Sequence, residues 1–215
     1  MEIRDFIFPF TKKGASGLKS DGIAIQFSED QLKQEKQKCE EIAENTISEA
    51  KESGYFKDDF LTIFAEKIYS ISKVGYGYTD PFDKNDFLTL EEKKSLNLNA
   101  RAKYPRELIN GLTEKGLDAA KNRDFIKNMF LRNFHKVSRK YELSHLKESG
   151  CKYVTISSSG DERDCKAIKR LKKHWPIDEV PELPLSNCNS EYCRCCYIAD
   201  EKEFMNSIRN LEQKT

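Results

Sequence analysis

A long stripe of apolar side chains past the middle of the chain constrains the fold most strongly. Between Asp124 and about Lys147, apolar residues recur at the three- and four-residue spacing that keeps side chains on one face of an α-helix. The pattern predicts one long helix, ended by Gly150, within a mainly α-helical domain. The stripe consists of Phe125, Met129, Phe130, Phe134, Val137 and Tyr141, with Leu143 and Leu146 beside its C-terminal end.

The same spacing predicts shorter helices before this one. Ser28 is a candidate N-cap with Gln31 three residues later, an order typical of a helix start. Glycines and a proline between residues 75 and 81 disfavour a continuous helix there. The glycine-containing first 28 residues are expected to form a flexible arm. The predicted helices span Ser28–Ser53, Asp58–Val74, Thr89–Leu96 and Pro105–Leu112.

The net charge of +1 conceals two oppositely charged segments. Residues 121–142 carry seven basic and two acidic side chains, whereas residues 29–59 carry five basic and ten acidic ones. In the simpler interpretation, the two helices lie antiparallel and pair their charges at the surface. In the other, the basic helix follows a phosphate backbone. That second interpretation makes candidate nucleic-acid contacts of Lys127, Arg132, Lys136, Arg139 and Lys140.

Composition excludes several classes of protein. Aromatic residues make up 11% of the 215 residues, enough to fill a core, so the chain is not expected to be disordered. Nearly equal numbers of basic and acidic residues, 37 and 36, argue against a uniformly basic polyanion binder. No apolar run approaches the ~20 residues of a membrane span, and the start lacks a signal-peptide pattern. A cytoplasmic protein without membrane contact is therefore expected.

The last quarter of the chain changes character. Cys151–Ser157 alternates and is rich in β-branched residues, which predicts a strand. We therefore expect two units, a helical domain over residues 1–149 and a small cysteine-rich α+β module, similar to a zinc ribbon, over residues 150–215. The other elements predicted in the module are a short helix at Asp161–Lys173, an extended piece at His174–Ile177, a strand at Cys195–Ile198 and a closing helix at Glu201–Glu212.

Five of the seven cysteines fall between residues 165 and 196. An odd number of thiols without a secretion signal argues against a disulfide framework. Structural zinc takes four Cys or His ligands, and a segment this small would gain folding free energy from the metal. Cys188, Cys193 and Cys195 supply three thiols, and Cys165 or His174 is the natural fourth ligand. Buried reduced thiols and thiol–disulfide chemistry are the alternatives, although no C-x-x-C motif stands at a predicted helix start, where the latter would favour it.

Residues 148–198 also resemble a known module. The stretch contains Gly150-Cys-Lys-Tyr-Val-Thr-Ile, then Asp161-Glu-Arg-Asp-Cys165, then Trp175-Pro-Ile-Asp-Glu-Val-Pro-Glu-Leu-Pro-Leu185, and finally Cys193-Arg-Cys195. In order, spacing and several dipeptides it is similar to the C-terminal module of phage Mu-type head morphogenesis (minor head) proteins. The resemblance implies a role in capsid assembly or in handling DNA at the portal, with DNA or phage-type structural proteins as partners.

The sequence departs from that family's pattern at two places. The second Cys of the family's C-x-x-C falls on Ile168, and its His-Pro before C-R-C is replaced by a segment containing Cys188 and an insertion at residues 189–192. Cys188 can stand in for the missing His, while His174 or Cys196 can compensate for the lost Cys. The resemblance then implies a zinc ion held by Cys165, Cys188, Cys193 and Cys195.

A run of basic residues follows Cys165 and ends beside Trp175. Basic residues next to an aromatic side chain suit a nucleic-acid backbone, although a solvated helix face is the simpler interpretation. If this run aligns in space with the basic face of the long helix, the two form one surface. The run adds Lys169, Arg170, Lys172 and Lys173 to the nucleic-acid candidates.

A catalytic function is the alternative to a structural or binding role. No P-loop, dinucleotide-binding or nucleophile-elbow motif occurs. His135 and His145 lie on the long helix, where partly buried structural roles are expected. The three acidic residues between positions 161 and 164 can hold a divalent cation for phosphodiester cleavage, with His174 as general base. They equally suit a helix N-terminus. The alternative hypothesis is a metal-dependent nuclease or toxin-like effector.

Overall fold

The computed structural model describes residues 29–72, 78–82, 85–122, 124–158, 160, 164–171, 174–190 and 193–200. Within these ranges the chain is mainly α-helical with one small antiparallel sheet, as the sequence predicts. The predicted arm over residues 1–28 and the predicted closing helix at Glu201–Glu212 lie outside the described residues. No helix in the described part of the chain is long and apolar enough to cross a membrane.

Helices precede strands along the chain. The long helix and the helix before residue 53 match their predicted spans closely, whereas one short helix was not predicted. That helix begins after Thr113, whose side chain accepts a hydrogen bond from the Gly116 N–H at 3.1 Å. The described elements are α1 (Glu29–Ser53), α2 (Asp58–Ser72), α3 (Leu90–Ser95), α4 (Arg106–Asn110), α5 (Glu114–Ala119), α6 (Phe125–Glu148), β1 (Tyr153–Ser157), α7 (Lys166–Arg170), β2 (His174–Pro176) and β3 (Cys196–Ala199).

The helices enclose a core built largely from the predicted apolar stripes. α1 packs against both α2 and α6. Phe64 and Ile68 of α2 are completely buried, and Ile42 of α1 and Phe130 of α6 are each only 2% exposed. Burial of a side chain of this size stabilises the folded state by ~1.5–3 kcal/mol. The core therefore holds α1, α2 and α6 in one layer of packed helices.

The sheet is built around its central strand. β1 pairs antiparallel with β2 on one side and with β3 on the other. Thr155 lies opposite His174 in β2 and Ile198 in β3. Val154 and Ile156 face the other side and are at most 1% exposed. This confirms the alternation predicted for residues 151–157.

A second apolar cluster lies beneath the sheet, and α6 connects it to the helical core. Leu143 and Leu146, at the end of α6, pack against the second cluster, whereas the apolar side chains of the helix from Phe125 to Tyr141 belong to the helical core. Lys147 Nζ lies 3.0 Å from a carboxylate oxygen of Asp178 at this junction. The helical part and the module therefore share α6. Buried members of the second cluster are Ile156, Cys165, Ile168, Leu183, Cys193, Cys195 and Tyr197.

Gly111, between α4 and α5, leaves no room for a side chain. A Cβ at this position would lie 2.2 Å from a ring carbon of buried Phe60. We expect Gly111→Ala to lower the free energy of unfolding by ~1–3 kcal/mol in urea denaturation. Gly54→Asn is the control, because no atom of the described residues lies within 4 Å of a Cβ there and Asn tolerates its φ of 65°. Equal losses in the two variants would contradict this packing argument.

Candidate metal centre and nucleic-acid interface

The four cysteines implicated in zinc binding lie on three segments of the module. Cys165 immediately precedes α7, Cys188 lies in the loop after β2, and Cys193 and Cys195 lead into β3. Cys188 is half-buried and the other three are buried. All seven cysteines of the chain are among the described residues, and all are free thiols. We call Cys165, Cys188, Cys193 and Cys195 the thiol cluster.

The thiols of the cluster lie close enough to change one another's pKa. Cys165 contacts Cys188, Cys188 contacts Cys193, and Cys193 contacts Cys195. The hydrogen bond from Cys195 is the main reason that the pKa of Cys193 falls to about 5. The same hydrogen bond, followed by burial, raises the pKa of Cys195, and burial raises the pKa of Cys188. Neighbouring thiol donors thus favour the thiolate form at Cys193.

Arg139 of α6 binds the backbone that carries two of these thiols. Its Nε donates a hydrogen bond to the carbonyl oxygen of Cys195, and its Nη2 donates one to that of Cys193. The residue is only 3% exposed, and its positive charge also helps to lower the pKa of Cys193. The prediction that Arg139 contacts nucleic acid is wrong, because its guanidinium is buried against the cysteine loop.

The donor set suits structural zinc. Four cysteine thiolates are a common ligand set for this ion, and the thiolate is already the favoured form at Cys193. Among the residues that the structure describes, no three His, Cys, Asp or Glu side chains are placed to hold a metal ion together. Binding of one zinc ion would therefore require the four thiols to converge on it, and it would release protons.

His174 lies apart from the thiol cluster. Its Nδ1 is 2.6 Å from Oδ2 of Asp200 and 3.2 Å from Oγ1 of Thr155. The His174 side chain is 61% exposed, whereas that of Asp200 is 12% exposed. Cys165, rather than His174, therefore joins the three cysteines of the loop. The pairing with Asp200 was not predicted from the sequence.

Of the acidic residues proposed to hold a divalent cation, Asp164 is the one that the structure describes, and its contacts give it a structural role. Oδ2 of Asp164 accepts a hydrogen bond from the Gly160 N–H at 2.8 Å, and its Oδ1 lies 3.6 Å from Nη2 of Arg194. The Asp164 side chain is only 5% exposed. Asp161 and Glu162 lie outside the described residues. Asp164 thus stabilises the turn before α7.

The basic face of α6 lies against the acidic helix α1. Lys140 Nζ donates a hydrogen bond to Glu41 at 2.8 Å, and Arg132 Nε donates one to Glu49 at 3.2 Å. These partners show that the two helices run antiparallel, since a later residue of α6 pairs with an earlier residue of α1. The simpler interpretation of the opposite charges is therefore confirmed. Such exposed ion pairs contribute at most ~1 kcal/mol each to the free energy of unfolding. They also place negative charges beside the positive charges of α6, so this surface is not uniformly basic.

The other nucleic-acid candidates are distributed over both units. Lys127 is half-buried and Lys136 is exposed on α6, while Lys169 and Arg170 are exposed on α7. Lys172 and Lys173 lie outside the described residues. Among the nucleic-acid candidates that the structure describes, Lys169 and Arg170 of α7 thus lie next to the thiol cluster.

The two histidines of α6 differ in their surroundings. His135 is half-buried, as predicted, and packs edge-on against Phe134. His145 is exposed rather than partly buried, and its ring lies 3.7 Å from Glu148. The difference arises because Leu143 and Leu146 take over the apolar contacts at this end of the helix.

His135 is expected to make stability depend on pH. Burial, reinforced by the positive charges of Arg139 and Arg194, lowers its pKa to about 4. Below pH 6.5 the unfolded chain binds a proton that the folded chain does not, so stability falls between pH 6.5 and 4. Allowing for partial exposure, the loss is ~2 kcal/mol. Urea denaturation across this range should show a smaller loss for His135→Gln, and equal losses in both proteins would contradict the assignment.

Comparison with known proteins leaves the site to be interpreted from its own geometry. No family model matches the chain, and neither a curated protein nor a solved structure gives a significant match.

Proposed function

We propose that the chain is a structural or binding protein whose zinc-stabilised C-terminal module contacts nucleic acid. The observation that carries the proposal is the thiol cluster, in which four cysteines from three segments contact one another beside a buried arginine. A module of this size buries little apolar surface, so a bound metal would add to its folding free energy. In this proposal zinc joins α7, the cysteine loop and β3, and completes a fold of the zinc-ribbon type.

Arg139 compensates part of the charge in this arrangement. Zinc with four thiolates carries a net charge of −2, which is costly to bury without a nearby cation. The guanidinium of Arg139 lies at the backbone of Cys193 and Cys195 and is itself buried. In this proposal its positive charge offsets part of the negative charge of the metal centre. Its hydrogen bonds attach the module to α6.

The basic residues of α7 and those after it provide the proposed nucleic-acid contacts. Lys169 and Arg170 are exposed, and Lys172 and Lys173 follow them in the sequence. In sequence, residues 148–198 resemble the C-terminal module of phage head morphogenesis proteins. We extend the proposal accordingly to handling of DNA, or contact with structural proteins, during assembly of a phage-type head.

The nucleic-acid function is tested by fluorescence anisotropy with labelled single-stranded and duplex DNA. Four phosphate contacts on a single strand predict roughly 50-fold weaker binding at 200 mM salt than at 50 mM. The triple variant Lys169→Gln, Lys172→Gln, Lys173→Gln should bind at least tenfold more weakly. The control variant, Lys127→Gln with Lys136→Gln on α6, should bind within about twofold of the original protein. Binding that is insensitive to salt, or equal losses in both variants, would contradict the proposal.

Phosphodiester cleavage is the second candidate function, and the His174–Asp200 pair favours it. Asp200 approaches Nδ1 of His174 at 2.6 Å, which leaves the other ring nitrogen for proton transfer in an exposed side chain. A metal-dependent nuclease or toxin-like effector would use such a base. Cleavage of single-stranded RNA or DNA should then fall at least 100-fold in His174→Gln and Asp200→Asn. Unchanged cleavage in both variants would reject this candidate.

A further inference from the structure

A cleft of about 430 Å³ lies between α7 and the loop around Cys188. Its volume falls within the range of small-molecule sites in proteins. Both walls adjoin the thiol cluster, because Cys165 precedes α7 and Cys188 lies in the opposite loop. The cleft is lined by Lys166, Ala167, Arg170, Leu171, Asn187 and Asn189.

The lining combines three kinds of chemistry. Lys166 and Arg170 are four residues apart in α7 and hence on the same face of the helix, which places two cations along one wall. Ala167 and Leu171 add apolar surface to the same wall of the cleft. On the other wall, Asn187 and Asn189 supply side-chain amides, each with donor and acceptor atoms.

We infer that this cleft binds one nucleotide unit, with the phosphate at Lys166 and Arg170 and the base between the apolar surface and the two asparagines. A guanidinium and an ammonium suit a phosphate, and an amide can pair with the edge of a base. The inference rests on the proposed nucleic-acid function and narrows it to single strands or free nucleotides. Proteins that recognise duplex DNA insert a protruding helix or strand into its grooves. A concave cleft instead accommodates a base that is not stacked in a duplex, as in a single strand or a free nucleotide.

The thiol cluster gives the cleft its shape. The interaction between Cys165 and Cys188 links the residue before Lys166 to the residue between Asn187 and Asn189. The two walls are therefore joined at their base. The cations and the amides are held facing each other by the same contact that is proposed to bind the metal.

The test compares three variants for binding of AMP and of a labelled mixed-sequence single-stranded octanucleotide. Asn187→Ala with Asn189→Ala should weaken both ligands at least fivefold without changing the salt dependence. Lys166→Gln should weaken both and reduce the salt dependence by about one phosphate contact. Lys152→Gln is the matched control, because Lys152 is exposed in the same module but does not line the cleft. It should leave AMP binding within twofold of the original protein.

The binding results for the two ligands decide whether the cleft is a nucleotide site. Similar affinity for the two ligands assigns it to free nucleotides, and much tighter binding of the octanucleotide assigns it to a strand. If the asparagine variant binds both ligands normally while the Lys169, Lys172 and Lys173 variant loses the octanucleotide, the cleft is rejected and the proposed function stands. If neither ligand binds, both are rejected. AMP titration followed by NMR should also shift the side-chain amide signals of Asn187 and Asn189, and unshifted signals would overturn the inference.

Discussion

Replacing Cys193 with serine is expected to unfold the C-terminal module. Cys193 lies at the centre of the thiol cluster, beside both Cys188 and Cys195, which lower its pKa. In the proposed zinc site serine cannot replace this ligand, and losing a structural metal is among the few single changes that cost more than ~4 kcal/mol. Trp175 reports the result directly, because it is the protein's only tryptophan and packs against the second apolar cluster.

Cys196→Ser provides the matched control for this variant. Cys196 is a half-buried thiol next to Cys195, but it is not part of the thiol cluster. Its substitution should change the free energy of unfolding by less than ~1.5 kcal/mol. Tryptophan fluorescence should therefore show an unfolded module in Cys193→Ser and a folded one in Cys196→Ser. Equal losses in the two variants would mean that the cluster has no special role in stability.

Arg139→Met should produce the second large effect. Methionine roughly preserves the buried volume but leaves the carbonyl oxygens of Cys193 and Cys195 without the donors that Arg139 supplies. Each unsatisfied buried carbonyl costs ~1–3 kcal/mol. We therefore expect the free energy of unfolding to fall by ~3–5 kcal/mol, measured by urea denaturation. The midpoint followed by Trp175 fluorescence should shift more than the one followed by helical circular dichroism, because the module depends on Arg139 more than the helical core does.

Two further substitutions show whether the effect belongs to these hydrogen bonds. Lys136→Met removes an exposed charge from the same helix, and its effect should stay within ~0.5 kcal/mol. Arg139→Lys keeps the charge but loses the planar fork that reaches two acceptors, so it should recover only part of the stability. If Arg139→Met costs no more than Lys136→Met, Arg139 does not hold the module on α6.

Local patterns predicted most helices, because apolar periodicity depends on neighbouring residues. The stripe on α6 is confirmed by the burial of Met129, Phe130 and Val137. α5 escaped prediction because it is short and contains Gly116, and its start depends on the Thr113 cap. The closing helix and the N-terminal arm stay predictions, since they lie outside the described residues.

The role of Arg139 could not be predicted in the same way. In the sequence it resembles Lys136 and Lys140, which are also basic residues of α6. Its partners lie 54 and 56 positions further along the chain, and only the packing of the module against α6 brings them together. The pairing of Lys140 with Glu41 is similarly distant, but opposite charges on two helices already suggested it.

The candidate metal site was predicted in part. The spacing identified three cysteines of one loop but left Cys165 and His174 as alternatives for the fourth ligand. The structure separates them, because strand pairing places His174 opposite Thr155 and beside Asp200. Cys165, in contrast, contacts Cys188. The choice depends on the register of β1 and β2, which no local pattern encodes.

The zinc content of the purified protein tests the central claim most directly. Native mass spectrometry, together with elemental analysis, should find one zinc ion per chain in the original protein and in Cys196→Ser, and none in Cys193→Ser. A strong chelator should release the ion and change the fluorescence of Trp175. A zinc-free protein with a folded module and freely titratable thiols at Cys165, Cys188, Cys193 and Cys195 would contradict the account.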